Sequence, residues 1–276
     1  MNAGFNKRIW KIISLSFLAT FCLFPIFWMV IISFSKNLNF LDGQNSFVFT
    51  FKNYREILAD PSLHLLIYLK NSLVVSSVAA IISTFFAALS AYAITRLKFP
   101  GKLLIPFFLL AISMFPQISI VGNLFKIMIH LNLINTQGAL VLPYITLGMP
   151  LALWIMMSYF SQLPIELDYA AMIDGARRLQ ILRKIIFPLA LPGIIATSLL
   201  VFIHSFNEFL FALILTTDYH ARTIPVGIAL FEGLHGEIPW GHIMASAVIA
   251  ILPTILLTVI FQKYIIQGLT KGAVKG

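Results

Sequence analysis

LPIELDYAAMIDGARRLQILRKIIFPLALPG, residues 163–193, decides how the rest of the chain is read. It is the most polar long interval between two strongly apolar segments, yet its pattern is helical. Pro164 suits the first turn of a helix, where its missing N–H costs nothing. Glu166 and Asp168 fall in that turn, where carboxylates favour the positive helix end. Ala170 and Ala171 keep the middle small, so another surface can approach the backbone closely. Gly175 predicts a stop through a left-handed conformation. A second short helix is expected from about Ala176. It carries Arg177, Arg178, Arg183 and Lys184 outward, with Leu179, Leu182 and Ile186 at helical spacing on its other face. Pro188 and Pro192 steer the chain into the next apolar segment. The pattern is helix, bend, helix, held at a membrane surface and shaped for docking.

Composition supplies the membrane. Of 276 residues, 59% are hydrophobic and 11% charged, with a mean hydropathy of +0.94. Soluble domains carry roughly 25% charged residues. The single cysteine, Cys22, lies in an apolar run, so neither a disulfide framework nor a cysteine metal site is available. Six apolar segments are long enough to span a bilayer, at residues 12–34, 71–94, 103–119, 137–160, 189–216 and 241–267. The first follows Lys7, Arg8 and Lys11 but is too long for a signal-peptide core, and it reads as an uncleaved span. Residues 121–131 read as a short segment along the interface. The expected fold is all-α: one polytopic domain over residues 1–276, six transmembrane helices, and a loop at 161–188 between the fourth and fifth.

Lys and Arg placement sets the orientation. Thirteen of the 19 basic residues fall on the side that holds both termini and the loops after the second and fourth spans. They include Arg96, Lys98, Lys102, Lys271 and Lys275. That side is expected to be cytoplasmic, in a multi-pass inner-membrane protein. The formal charge of +9 is then largely a topology signal and not a nucleic-acid footprint. Two outside loops, 35–69 and 217–240, are large enough to touch a soluble partner or to fold back as capped loops.

The second span carries small residues at four-residue spacing. Ser76, Ala80, Thr84 and Ala88 form one stripe, with Ser83, Ala87 and Ala91 beside it. Such stripes let membrane helices pack closely. Of ten acids, only Glu208 sits inside a span, and an intramembrane carboxylate marks a pathway or a pair. On a continuous helix His204, Asn207, Glu208 and Phe211 share one face. That face is either a polar strip along a solute path or a His204–Glu208 pair locking helices together.

The docking stretch also resembles the "EAA" loop of permease subunits in binding-protein-dependent ABC importers. Ala170, Ala171, Asp174, Gly175, Ala176, Pro188 and Pro192 match. Tyr169 stands where that pattern has glutamate, and Leu182 where it has phenylalanine; Asp168 offers an acid one residue early. NSLVVSSV, AYAITRLKFPGK, FNEFLFALILT and TIPVGIALFEG extend the resemblance along the chain, and QKYIIQGLTKGAVKG is similar to the end of MalG-like sugar-importer permeases.

The resemblance implies a permease whose loop is a coupling helix docking on a cytoplasmic ATPase. Asp168, Tyr169, Ala170, Ala171, Asp174, Gly175 and Ala176 would make that contact, joined by Lys271 and Gly272 of the tail. It implies a second, homologous permease, two ATP-binding ATPase subunits and an external solute-binding protein as partners. The cargo would be a sugar or related carbohydrate. ATP is expected to be used by the partners, since the chain has no G-x-x-x-x-G-K-[ST] loop; no cofactor or metal is expected on this chain, and no enzymatic activity. Concentrating a neutral solute a thousandfold costs about 4 kcal/mol, which an external motor must supply. The alternative is an ion-coupled secondary transporter using Glu208.

Overall fold

The structure is a computed structural model that describes residues 2–36, 48–231 and 238–273. Its elements are helices α1 (Asn2–Ser33), α2 (Lys52–Ala59), α3 (Leu65–Arg96), α4 (Leu104–Ser113), α5 (Gln117–His130), α6 (Gln137–Ser161), α7 (Glu166–Ile173), α8 (Arg178–Ile181), α9 (Phe187–Phe206), α10 (Leu210–Leu215), α11 (Ile224–Ala229) and α12 (Trp240–Ala273). A 3₁₀ turn at Pro61–Leu63 and a wider π turn at Leu182–Ile186 complete the set. Among the described residues there is one isolated β-bridge and no strand. Helices α1, α3, α6, α9 and α12 are each long and apolar enough to cross a membrane.

The expected third span at 103–119 needs correction. The helix stops at Ser113, and α5 leaves at 94° to α4. Pro116 lacks the N–H that would continue the ladder and pushes the residue before it out of the helical region. The short segment expected at 121–131 is therefore the body of α5. The two pass as one span only when taken together.

The chain divides into two compact units, Met1–Leu66 with Gly227–Leu252, and Ile67–Val226 with Pro253–Gly276. In the first, the end of α1 turns through Phe34 and bridges Ser35 to Phe49. The rings of Phe34, Phe49 and Phe51 close over that bridge at 5.1–5.3 Å between centroids. Buried Asn53 donates from Nδ2 to the carbonyls of Ser33 and Ser35 at 2.8 and 2.9 Å. These carbonyls lie past the reach of the helical ladder, where an acceptor would otherwise lack a partner. Gly241 is required beside this amide: a Cβ there would lie 2.5 Å from Asn53 Nδ2. The described part of the 35–69 loop is thus capped by its own side chains.

The second unit is built on α3, α6 and α9. All seven small residues of the two stripes on α3 are buried. Ser83 donates to the carbonyl of Ile145 on α6 at 3.2 Å. Opposite it, a Cβ on Gly148 would lie 2.7 Å from Val201 of α9. Two to three turns further along the same contact, a Cβ on Gly193 would strike the Tyr159 ring at 2.6 Å. Small side chains therefore set the spacing of the three helices, as lipid gives no hydrophobic drive between them. A core of Val75, Leu140, Tyr144, Phe211, Leu215 and Val226 fills the other end of this unit. There Asn71 donates to the carbonyls of His220 and Arg222 at 2.9 and 3.0 Å and accepts from Gln137, tying the loop after α10 to the starts of α3 and α6.

Candidate functional site

The docking stretch folds as a helix, a bend and a second helix. Helix α7 carries Glu166 and Asp168 in its first turn. It ends at Gly175, whose φ is +80°. The Gly175 N–H bonds to the Met172 carbonyl at 3.1 Å and the Ala176 N–H to Ala171 at 2.9 Å. This pair of bonds satisfies carbonyls that the helix itself leaves open, and it needs a left-handed residue at that position. No atom lies within 4 Å of a Cβ built on Gly175, so the turn projects into open space.

One side of α7 faces outward. Tyr169, Ala170, Ile173, Asp174 and Gly175 are exposed, Ile173 at 87%. The other side is narrow: Asp168 and Ala171 are the buried residues of α7. Ala176 is half-buried. Leu182 and Ile186 are buried as expected of the second helix, but Leu179 is 72% exposed and joins the outward surface. The register slips because α8 is a single turn before the π turn, which rotates later residues relative to earlier ones. Helix α8 runs through that turn into α9 without interruption, giving one apolar helix from Arg178 to Phe206. Lys271 and Gly272 lie in the last turns of α12, where side chains fall outside the described residues.

The buried side of α7 holds a polar knot that residue order did not reveal. Arg96, the last residue of α3, places Nε 3.6 Å from Asp168 Oδ2, with side chains only 5% and 1% exposed. Its Nη2 donates to the carbonyls of Leu163 at 2.7 Å and Phe160 at 3.2 Å, just where α6 ends. The Tyr92 hydroxyl donates to Asp168 Oδ1 at 3.3 Å. A guanidinium fork is suited to binding several acceptors at once. Beside the knot opens a cleft of 530 Å³ lined by Thr95, Lys102, Gln162 and Pro164 among others.

The four residues grouped on the fifth span are not brought together on one helical face. The span breaks: α9 ends at Phe206, Asn207 to Phe209 leave the helix, and α10 starts at Leu210. His204 and Asn207 are exposed, whereas Glu208 and Phe211 are buried. The Glu208 carboxyl reaches forward along its own chain and accepts from the N–H groups of Phe211 at 2.9 Å and Ala212 at 3.2 Å. It also accepts from the Tyr144 hydroxyl at 2.7 Å. It caps α10 and pins it to α6, and its described partners do not include His204. Asn207 donates to the carbonyl of Ile203, closing the last turn of α9. Inside a bilayer an N–H without an acceptor costs several kcal/mol, so a break at this depth needs such a cap.

Long apolar helices, one span bent at a proline and one broken and capped by a carboxyl, with a polar helix–bend–helix loop beyond the fourth, make a polytopic membrane protein. The family model described as the binding-protein-dependent transport system inner membrane component matches residues 83–271. The chain is 52% identical over 271 residues to the trehalose/maltose transport system permease protein MalG of Thermococcus litoralis, covering 98% of each. It is 40% identical to the trehalose transport system permease protein SugB of Mycobacterium tuberculosis, over 93% of each. Its fold matches a chain from the crystal structure of a bacterial ABC transporter involved in the import of the acidic polysaccharide alginate. The TM-score is 0.77 at 21% identity, over 96% of this chain and 98% of that one. The chain belongs to the family of binding-protein-dependent transport system inner membrane components. It is a multi-pass ABC permease and not an enzyme, and it works with a second permease, ATPase subunits and a solute-binding protein.

Proposed function

We propose that this permease imports a sugar, with trehalose- and maltose-like disaccharides as the substrate class, and that one homologous permease and two ATPase subunits complete the membrane complex. Residues 1–276 act as a single permease domain with both termini in the cytoplasm, as the basic-residue bias favours. The ATPases grip the outward surface formed by Tyr169, Ala170, Ile173, Asp174 and Gly175, with Lys271 and Gly272 of the tail beside it. Binding and hydrolysis of ATP in the partners bias the permease pair between outward- and inward-open states, a population shift and not chemistry by this chain.

The exposed α7 turn carries the reading: a helix showing Ile173 at 87% and ending on a free-standing glycine turn is a surface awaiting a partner. The substrate class rests on the 52% identical relative. An ion-coupled route through Glu208 is not favoured, since that carboxyl already accepts three hydrogen bonds. Reconstitution of the full complex in vesicles with radiolabelled trehalose or maltose tests the reading. Uptake should require ATP and the binding protein and persist when an uncoupler collapses the proton gradient. Uptake that stops with the uncoupler while ATP is maintained overturns it.

A further inference from the structure

Helix α7 has little to hold it. Its buried residues are one methyl side chain, Ala171, and one carboxylate, Asp168. The segment leading into it is packed little better: Gln162, Pro164 and Ile165 are exposed beside the 530 Å³ cleft, and Leu163 between them is half-buried, its carbonyl held by Arg96. Asp168 is therefore the principal polar anchor, and it is anchored to Arg96. Arg96 Nε and Asp168 Oδ2 are both buried without a hydrogen-bond partner and face each other at 3.6 Å, while Arg178 stands further round the knot on the Tyr92 hydroxyl. The same guanidinium holds the terminal carbonyls of α6. One side chain thus joins the end of α3, the end of α6 and the start of α7.

We propose that the Arg96–Asp168 pair is the joint through which movement of the docking helix reaches the membrane-spanning helices. The inference rests on the reading of α7 as the ATPase-docking helix. Both are positioning residues: Asp168 faces away from the docking surface, and Arg96 does not reach it. A push on the outward side of α7 would tilt a weakly packed helix in place unless its first turn were fixed. The charge pair fixes it, and the pull is shared with α3 and α6 at once. A buried pair is suited to this because loss of one partner strands the other charge, so the joint resists partial opening.

The test uses the complete complex in vesicles with trehalose as the probe, and reads two quantities: ATPase retained on purification, and trehalose imported per ATP hydrolysed. Asp168→Asn keeps the shape and the acceptor for Tyr92 but removes the charge. It is expected to retain the ATPase, because the outward surface is intact, while import per ATP falls about tenfold or more, a loss of about 1.4 kcal/mol of coupling. Arg96→Gln with Asp168→Asn removes both charges and is expected to be no worse than Asp168→Asn alone, the non-additivity of a direct pair. Normal import per ATP in Asp168→Asn overturns the joint. So does loss of the ATPase in that variant, which would make Asp168 a docking contact. A double variant that fails to assemble also counts against it, since the pair would then serve folding alone. Failure of the docking reading looks different: Ile173→Asp on the outward surface would leave ATPase retention and coupling unchanged.

Discussion

Tyr144 and Glu208 lie 64 residues apart and meet through a 2.7 Å hydrogen bond at the break between α9 and α10. The two sit on different helices, so the bond fixes the broken end of one span to the middle of another. Replacing Tyr144 by Phe removes one donor, and a single net hydrogen bond is worth about 1 kcal/mol. Glu208→Ala removes the acceptor of two N–H groups as well, at about 1–3 kcal/mol for each group left unsatisfied. The thermal midpoint of the purified protein in detergent should fall slightly for Tyr144→Phe and much further for Glu208→Ala. ATP-driven uptake should survive Tyr144→Phe, with no gain of sensitivity to an uncoupler.

Gly175 separates backbone strain from partner contact. Its φ of +80° strains any residue with a Cβ, by about 1 kcal/mol for alanine. Space within this chain is not the limit, as nothing lies within 4 Å of the added Cβ. Gly175→Asn should cost least, because Asn tolerates the left-handed region. Gly175→Trp should leave the chain folded in the membrane yet strip it of ATPase on co-purification, because the clash would be with the partner. Equal ATPase retention in the Asn and Trp variants would count against a partner at this turn.

Gly193 is different in kind, since its limit is internal. An added methyl meets the Tyr159 ring at 2.6 Å, at its base and not at the far end of a flexible chain. Overpacking of this sort costs about 1–3 kcal/mol. Gly193→Ala should lower the thermal midpoint, and Tyr159→Leu placed on top of it should recover part of the loss. A double variant as unstable as the sum of the two singles would show that the glycine matters for another reason.

Glu56 supplies a pH dependence outside the membrane spans. Burial pushes its pKa up, but hydrogen bonds shared with His242 and Lys52 outweigh this and hold it below the ordinary 4.5. A carboxylate lowered in this way stabilises the fold fully above its ordinary value and ceases to do so as pH falls through the lowered one. The side chain is 38% exposed, so solvent screening keeps the effect below about 1 kcal/mol. Stability measured from pH 7 down to 3 should therefore drop less steeply in Glu56→Gln than in the unaltered protein. His242→Ala removes one of the groups that lower this carboxyl and should likewise shrink the drop.

Local patterns carried much of this molecule. Residues 163–175 announced their helix, its acidic first turn and its glycine stop, because each of those signals acts within a few residues. The small stripes on α3 were equally legible, since four-residue spacing places them on one face wherever the helix sits. The break in the fifth span was not. Nothing in SFNEFLFAL stops a helix by itself, and the cause is a carboxyl that captures two nearby N–H groups while held by Tyr144 from 64 residues earlier. Asp168 misled in the same way. Its position in a first turn suggested a local dipole role on the docking surface, whereas burial beside Arg96, 72 residues upstream, turned it inward. Arg96 read only as one charge among thirteen on its side, for its carbonyl and carboxylate partners all lie beyond the next two helices.

The unbroken run from Arg178 through the π turn to Phe206 has a mechanical consequence. Its 29 residues make a rod about 43 Å long at 1.5 Å per residue. One end carries exposed Leu179 and Arg178, whose side chain reaches the Tyr92 hydroxyl, and the other stops at the capped break. A rotation imparted at the near end would be carried along the rod toward Phe206, while Glu208 and Tyr144 hold α10 to α6. Such a rod would pivot where Gly148 and Gly193 bring it against α6, leaving the segment after the break as a fixed lintel.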